Sequence, residues 1–353
     1  MKFTRPRKVL AEKLLELGIE KPRLAFNPPS GDILNRIAYG ISKELLCVEK
    51  GEDFKSGKVV DAEGSLRLLA FTGNEKPDAL ISKRGKPLNL ELPKYPKIAV
   101  DFTLSGLLEN HELKSLFVQT SMAFSVVRNF FTPENFVLIG NNQVSNEFLK
   151  KYSIKTAILE NVEPDSVIVL DPQGEKEFSH EEVSHDTVIV IGGIVDKSQR
   201  LEGITAKIFP DSRHRKITLN GETEIVPDRI NEIAKIVCEY LTSESTLEEV
   251  VVKNLTRDSK LRWLRSALQR NLIRIICGNR KLKVIPLSLW NEWKEKYGLN
   301  EFLLKKSSGH VGGICVVKDS LLEKVKGKVK KGKREFLLVE NIREEEIVVC
   351  YEQ

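Results

Sequence analysis

Four stretches of this chain, "KIAV", "FVLIG", "SVIVLD" and "TVIVIGG", are apolar runs in which no polar residue alternates with the Val, Ile and Leu. A strand with one face in water has to alternate, so such runs belong to strands covered on both faces. Helical patterns separate or follow them: "NHELKSLFVQTSMAFSVVRNFF", "SNEFLKKYS", and "DRINEIAKIVCEYL", which is expected to open behind Pro227. Strands alternating with helices predict a doubly wound α/β domain with a parallel sheet over residues 97–243, with "KITLNG" as one more short element.

In sheets of this kind ligands bind outside the carboxyl ends of the strands. Those ends read "LDPQG" at 170–174, "IGGIVD" at 191–196 and "TLNGE" at 218–222. Each joins Gly to Asp or Asn, and the three are expected to converge on one pocket. The cofactor-binding candidates are therefore Leu170, Asp171 and Gly174, then Gly192 and Gly193, then Leu219 and Asn220. Asp196 sets a carboxylate beside the glycine pair.

The obvious ligands for a glycine-rich strand end do not match. A dinucleotide site needs G-x-G-x-x-G leading into a helix, whereas Gly192 and Gly193 are adjacent and "IVDKSQRLEG" follows. Neither G-x-x-x-x-G-K-[ST] nor G-x-S-x-G occurs. A cofactor without a pyrophosphate suits the cleft better, and S-adenosylmethionine (AdoMet) is one such molecule, although spacing alone does not compel it.

The net charge of +6 hides a division along the chain. Lys+Arg against Asp+Glu run 18 to 13 over residues 1–95, 15 to 22 over 96–243, and 23 to 15 over 244–353. Basic flanks around an acidic middle suggest ends that hold a polyanion; the alternative is solubility and adaptation to heat, since 30% of residues are charged. Residues 1–93 read as an N-terminal α+β module opening with the helix "PRKVLAEKLLELG", and 244–353 as a basic, mainly helical or α+β C-terminal domain. In the latter, "DSKLRWLRSALQRNLIRII" turns Leu261, Leu264, Leu268 and Leu272 to one face and Arg262, Arg265 and Arg270 away from it. "CGNRKLKVIP" reads as a short hairpin. Seven Lys and Arg then fall within residues 324–334, a feature suited to phosphate contact whether flexible or in a strand.

The five cysteines are scattered and odd in number, so they are expected to be reduced, with no zinc knuckle or disulfide framework. No metal site is expected. No run reaches the roughly 18 to 20 apolar residues of a membrane span, and the N-terminal segment lacks a signal sequence, so a cytoplasmic location is expected.

The segment "DTVIVIGGIVDKSQRLEGIT" resembles the signature of the Trm10 family of tRNA methyltransferases. "AVDFTLSGLLENHELKSLFVQTSMAFSVVRN" and "IVPDRINEIAKIVCEYL" are similar to the opening strand and helix and to the closing helix of that family's domain. Together these cover residues 97–243. The resemblance, closest to the archaeal type, implies a SPOUT domain ending in a trefoil knot, AdoMet as methyl donor, and methylation of N1 of the purine at tRNA position 9 by a monomer. The alternatives are a SPOUT enzyme acting on another nucleotide and a non-catalytic RNA-binding protein.

On this reading Asp196 is the catalytic candidate, as proton acceptor for guanine N1 or as the charge that orients adenine. Gln119 and Arg128 stand nine residues apart and so face opposite sides of one helix. Arg128 would act at the helix end on phosphate or base, and Gln119 would serve as its structural partner within the RNA-binding set. Lys197, Arg200, Arg213 and Arg215 are placed near the cleft to neutralise phosphates around a flipped base, and Arg262 and Arg265 extend the RNA-binding set into the C-terminal domain.

Overall fold

The computed structural model describes residues 2–51, 53–160, 162–193, 207–223, 225–332 and 334–351. The chain divides into two compact units, Met1–Ile217 with Asp228–Val250, and Thr218–Pro227 with Val251–Gln353.

The first unit contains two sheets. The N-terminal one has strands β1 (Pro22–Leu24), β2 (Cys47–Lys50), β3 (Gly57–Glu63), β4 (Leu66–Glu75) and β5 (Ala79–Ser82) in the order β2-β5-β1-β4-β3. Helix α1 (Pro6–Glu16) opens with Pro at its first position, where no backbone N–H is needed, and buries Leu10, Ala11 and Leu14. Helix α2 (Ile33–Ser42), not anticipated from the sequence, is capped by Asp32, whose side chain accepts from the Asn35 N–H at 2.9 Å. Leu34, Ile37 and Ile41 of α2 join α1 and the sheet in a core of the module's own.

The second sheet has seven strands: β6 (Lys97–Asp101), β7 (Phe136–Ile139), β8 (Ala157–Leu159), β9 (Val167–Leu170), β10 (Lys176–Glu177), β11 (Val188–Gly192) and β12 (Arg213–Lys216). Their order is β10-β12-β9-β11-β6-β7-β8, and every pairing is parallel. The apolar runs are its centre: Ala99, Val137, Val167, Val169, Val188 and Val190 share one buried cluster, while the alternate residues Ile98, Val100, Leu138, Ile168, Ile189 and Ile191 are also buried. Burial on both faces is what the unalternated sequence required. Helices α3 (Asn110–Phe130), α4 (Asn142–Tyr152) and α5 (Ile230–Thr242) follow, with α3 packed on α5. "KITLNG" contributes less strand than expected, since β12 ends at Lys216.

The N-terminal module is fastened to the C-terminal end of α3. Asn35 Nδ2 donates to the carbonyls of Arg128 (3.1 Å) and Phe131 (2.7 Å), and Arg5 Nη2 donates to the Asn129 carbonyl at 2.7 Å. These bonds satisfy carbonyls that the helix end leaves open.

In the second unit, β13 (Ile273–Cys277), β14 (Arg280–Pro286), β15 (Ile314–Val317), β16 (Val325–Lys331), β17 (Arg334–Val339) and β18 (Ile347–Tyr351) form a mixed sheet in the order β16-β17-β13-β14-β15-β18. "CGNRKLKVIP" is the expected hairpin, and the lysine-rich run is a second one, β16–β17. Around the sheet lie α6 (Leu247–Lys253), which begins in the first unit, α7 (Arg257–Asn271), α8 (Leu287–Tyr297) and α9 (Glu301–Val311). Trp263 packs edge-on against Trp293, with ring centroids 5.3 Å apart. The expectation of five reduced cysteines is corrected here: Cys315 and Cys350 stand opposite each other on β15 and β18 and are joined by a disulfide, while Cys47, Cys238 and Cys277 are free. A separation of 35 residues hides that pairing from spacing rules.

Candidate active site at the strand ends

Gly192 ends β11 and is in register with Asp101, the last residue of β6. On the other side Ile191 pairs with Leu170, the last residue of β9, so Asp171 comes level with Gly192. The carboxyl ends of three adjacent strands thus carry Asp101, Gly192 and Asp171 in one row. At sheet spacing the two carboxylate-bearing strands are roughly 10 Å apart with a glycine between them.

Gly193 has no room for a side chain. A Cβ there would lie 1.8 Å from the Asp101 carbonyl oxygen. The glycine is therefore required by the close approach of two strands, whatever else it admits. Gly174 is similar: its N–H donates to the Asp171 carbonyl at 2.9 Å, and a Cβ would lie 2.8 Å from the Arg215 carbonyl carbon.

Asp171 is buried. Its Oδ1 accepts from the Gln173 N–H at 2.9 Å, and its Oδ2 lies 3.3 Å from His214 Nδ1. The other ring nitrogen of His214 is 2.8 Å from the Phe209 carbonyl. Both nitrogens face acceptors, so the imidazole bridges β9 to the segment before β12.

Asp101 was not singled out from the sequence, yet among the described residues it is the most buried carboxylate at these strand ends, at 3% exposure. Its Oδ1 accepts from both the N–H (2.9 Å) and the hydroxyl (2.6 Å) of Thr103. Burial pushes its carboxyl above the ordinary range, against the pull of the Thr103 hydrogen bonds. A signal was present: "IAVD" ends an apolar strand with a carboxylate, as "VIVLD" does. Just beyond, the hydroxyl of Ser105 is buried without a partner among the described residues.

Asp196, Lys197 and Arg200 lie outside the described residues. Leu219 and Asn220 belong to the second unit. There Leu219 and Glu222 bridge across Asn220 and Gly221, whose φ values of 53° and 79° make the two-residue turn that Asn-Gly favours. Asn220 Nδ2 donates to the Tyr297 hydroxyl at 3.0 Å.

Most of the remaining polar candidates have partners inside their own unit. Gln119 Oε1 accepts from the Ile230 N–H at 3.0 Å, capping α5, and its Nε2 donates to Ser115 Oγ at 3.1 Å. Arg128 lies over the Phe124 ring at 5.1 Å, and burial together with nearby Arg36 lowers its pKa. Arg213 donates to the Glu182 and Asp165 carbonyls, and Arg215 pairs with the Glu182 carboxylate at 2.7 Å. Arg262 Nη2 donates to the Val226 carbonyl at 3.2 Å; Arg265 is half-buried, and its Nε has no partner among the described residues. The hairpin lysines are partly neutralised, Lys326 by Glu340 and Lys328 by Glu335.

The row of strand ends carries the glycines with a carboxylate on either side, and the hydroxyl of Ser105 follows Asp101 by four residues. That donor set fits a cationic, hydrogen-bonding adenosyl compound such as AdoMet. Among the described residues no group of His, Cys, Asp or Glu is placed to hold a metal, and no helix is long and apolar enough to cross a membrane.

The all-parallel sheet, with its glycine pair and carboxylates gathered at the strand ends, gives an α/β domain that is similar to those of known methyltransferases. Residues 107–214 match the family described as SFM1-like protein arginine N-methyltransferases. The tRNA (adenine(9)-N1)-methyltransferase of Sulfolobus acidocaldarius is 27% identical over 260 residues, which is 72% of this chain and 85% of that protein. The tRNA (guanine(9)-/adenine(9)-N1)-methyltransferase of Thermococcus kodakarensis is 25% identical over 224 residues, covering 59% of this chain and 60% of that one. In fold, the crystal structure of Sulfolobus acidocaldarius Trm10 in complex with S-adenosylhomocysteine superposes with a TM-score of 0.62 at 21% identity, covering 88% of this chain and 100% of that chain. The chain is thus similar, in sequence and in fold, to the Trm10 tRNA methyltransferases.

Proposed function

We propose that the protein transfers a methyl group from AdoMet to N1 of the purine at position 9 of tRNA. The observation that carries this is the extent of the match to the Sulfolobus acidocaldarius enzyme. At 260 residues it is longer than the whole 97–243 domain and so takes in flanking sequence as well as the methyl-transfer scaffold. The SFM1-like match, by contrast, stays within residues 107–214, as expected of a shared scaffold serving a different substrate.

AdoMet, when bound, supplies an electrophilic methyl on a sulfonium, and transfer to nitrogen leaves S-adenosylhomocysteine. Gly192, Gly193, Leu170, Asp171 and Gly174 are the residues of the central domain proposed to hold it; Leu219 and Asn220, the other candidates for cofactor contact, belong to the second unit. Asp101 adds a second carboxylate beside the glycines. Asp196 is proposed to act on the base. For guanine it accepts the N1 proton as the new N–C bond forms; for adenine, whose N1 has a free lone pair, it offsets the positive charge that develops on the ring. Arg128, Lys197, Arg200, Arg262 and Arg265 are proposed to face RNA. Gln119, Arg213 and Arg215 hold the fold around the cleft, and any RNA contact they make comes on top of that.

The reading includes a trefoil knot formed by the C-terminal part of the central domain. Support comes from the resemblance of residues 186–205 and 225–241 and from a sheet order in which late β12 lies between β9 and β10. It also includes action as a monomer in the cytoplasm, where a tRNA substrate is met. Incubating unmodified tRNA with methyl-labelled AdoMet and the protein, then analysing nucleosides by mass spectrometry, should give 1-methyladenosine or 1-methylguanosine at position 9. Methylation at another position would assign a different RNA site to the same scaffold, and methylation of neither purine would overturn the proposal.

A further inference from the structure

Strand β4 carries an irregularity that the methyl-transfer site does not use. Lys58 of β3 pairs with Ala70, but Gly57 pairs with Glu75, so Phe71, Thr72, Gly73 and Asn74 bulge from the ladder. The bulge is folded hard against β3, since a Cβ on Gly73 would lie 2.3 Å from the Gly57 carbonyl. Phe71 occupies the left-handed region at φ 57°, which a bulky side chain seldom adopts. Burial does not account for that conformation, because Phe71 is 49% exposed.

Two cations flank it. Lys58 Nζ lies 5.2 Å from the ring centroid, and Arg23 Nη2 donates to the Phe71 carbonyl at 3.3 Å. Among the described residues Arg23 Nε is buried without a partner, and neither cation forms an ion pair. The neighbouring carboxylate of Glu75 is taken by Lys21 at 2.7 Å. A strained, exposed aromatic beside unpaired positive charge is chemistry for a flat ring attached to phosphates.

We propose that Phe71 is a stacking platform for an unpaired RNA base, with Lys58 and Arg23 taking the adjoining phosphates. This rests on the tRNA reading above and adds to it a second point of contact, on the N-terminal module and separate from the methylated base. Stacking tolerates any base, so the platform reads single-strandedness rather than sequence.

The test is fluorescence anisotropy of the full chain with unmodified tRNA and with a short single-stranded RNA, for the wild type, Phe71→Tyr, Phe71→Leu and Phe71→Gly. Tyr should bind as the wild type does, while Leu and Gly should bind about tenfold more weakly. Glycine suits φ 57°, so Phe71→Gly should melt no lower than the wild type even as RNA affinity falls; a structural role alone would not separate the two. Lys58→Gln should flatten the dependence of affinity on salt. Wild-type affinity in both Phe71→Leu and Phe71→Gly would overturn the platform, including in favour of a protein partner, and leave the tRNA reading standing. Absence of RNA binding by the wild-type protein would overturn both. Because anisotropy needs no methyl transfer, failure of the proposed reaction on tRNA would still leave the platform open to test.

Discussion

A single atom beyond glycine at position 193 would collide with main chain, and this sharpens what the glycine pair means. Gly193→Ala should cost about 3 kcal/mol in urea unfolding, as an overpacked site that backbone cannot yield to, and it should do so with or without AdoMet. Asp101 is open to test in the opposite direction. Its raised value means the folded chain holds that proton more tightly than the unfolded chain does, so its stabilising contribution is complete below the ordinary carboxylate range and is lost as pH rises through the raised folded value. Asn at this position keeps an oxygen for both Thr103 donors and cannot ionise. Without AdoMet, Asp101→Asn should therefore melt a few degrees above the wild type at neutral pH, and the gap should close near about pH 4. Asp196→Asn should lower single-turnover methylation of guanine by about 100-fold and of adenine by less; equal losses would rule out its acting as proton acceptor. Glycines and a carboxylate at strand ends were visible in the sequence because they break an apolar run. Asp101 was passed over despite "IAVD" because what sets it apart, its burial, its bonds from Thr103 and its register with Gly192, is not displayed by a linear reading.

At the level of elements, the parallel sheet was legible because burial on both faces leaves an unmistakable run of branched residues. The mixed sheets at either end were not. Their strands are short and half exposed, and the alternation "VKGKVKK" reads equally as a charged tail or as a ladder edge. Helix α2 was missed because its apolar residues begin inside a loop of Pro and Gly, and its existence depends on Asp32 serving as cap and as partner to Arg5 and Arg7. Strand β18 is held by the Cys315–Cys350 disulfide as well as by its ladder to β15. Closing a loop of 35 residues is worth about 3–4 kcal/mol by loss of unfolded-state freedom. Reduction, or Cys350→Ser, should lower the melting of the second unit accordingly, measured by protease sensitivity of the C-terminal segment on heating; unchanged sensitivity would mean that the ladder alone suffices.

For the molecule as a whole, the basic flanks supply charge, but less than a residue count suggests. Lys326 and Lys328 are engaged by Glu340 and Glu335 in exposed pairs, which are weak and which a polyanion can displace. Replacing both acids, Glu335→Gln with Glu340→Gln, should tighten tRNA binding about threefold at low salt, with the gain fading as salt is raised; a loss of affinity would show that the pairs shape the hairpin instead. The division of the chain carries a different consequence. Residues 218–227 belong to the second unit although 228–250 return to the first, so the polypeptide passes between units three times. One protease cut at any of these crossings leaves two covalent tethers in place. Nor can the second unit be removed by stopping the chain at Val250, since that strands Leu219, Ile225 and Val226, all buried, without Tyr297, Arg262 and Arg270. A chain stopped at Val250 should therefore melt lower than the full chain, and its loss of activity would have to be read beside that loss of stability.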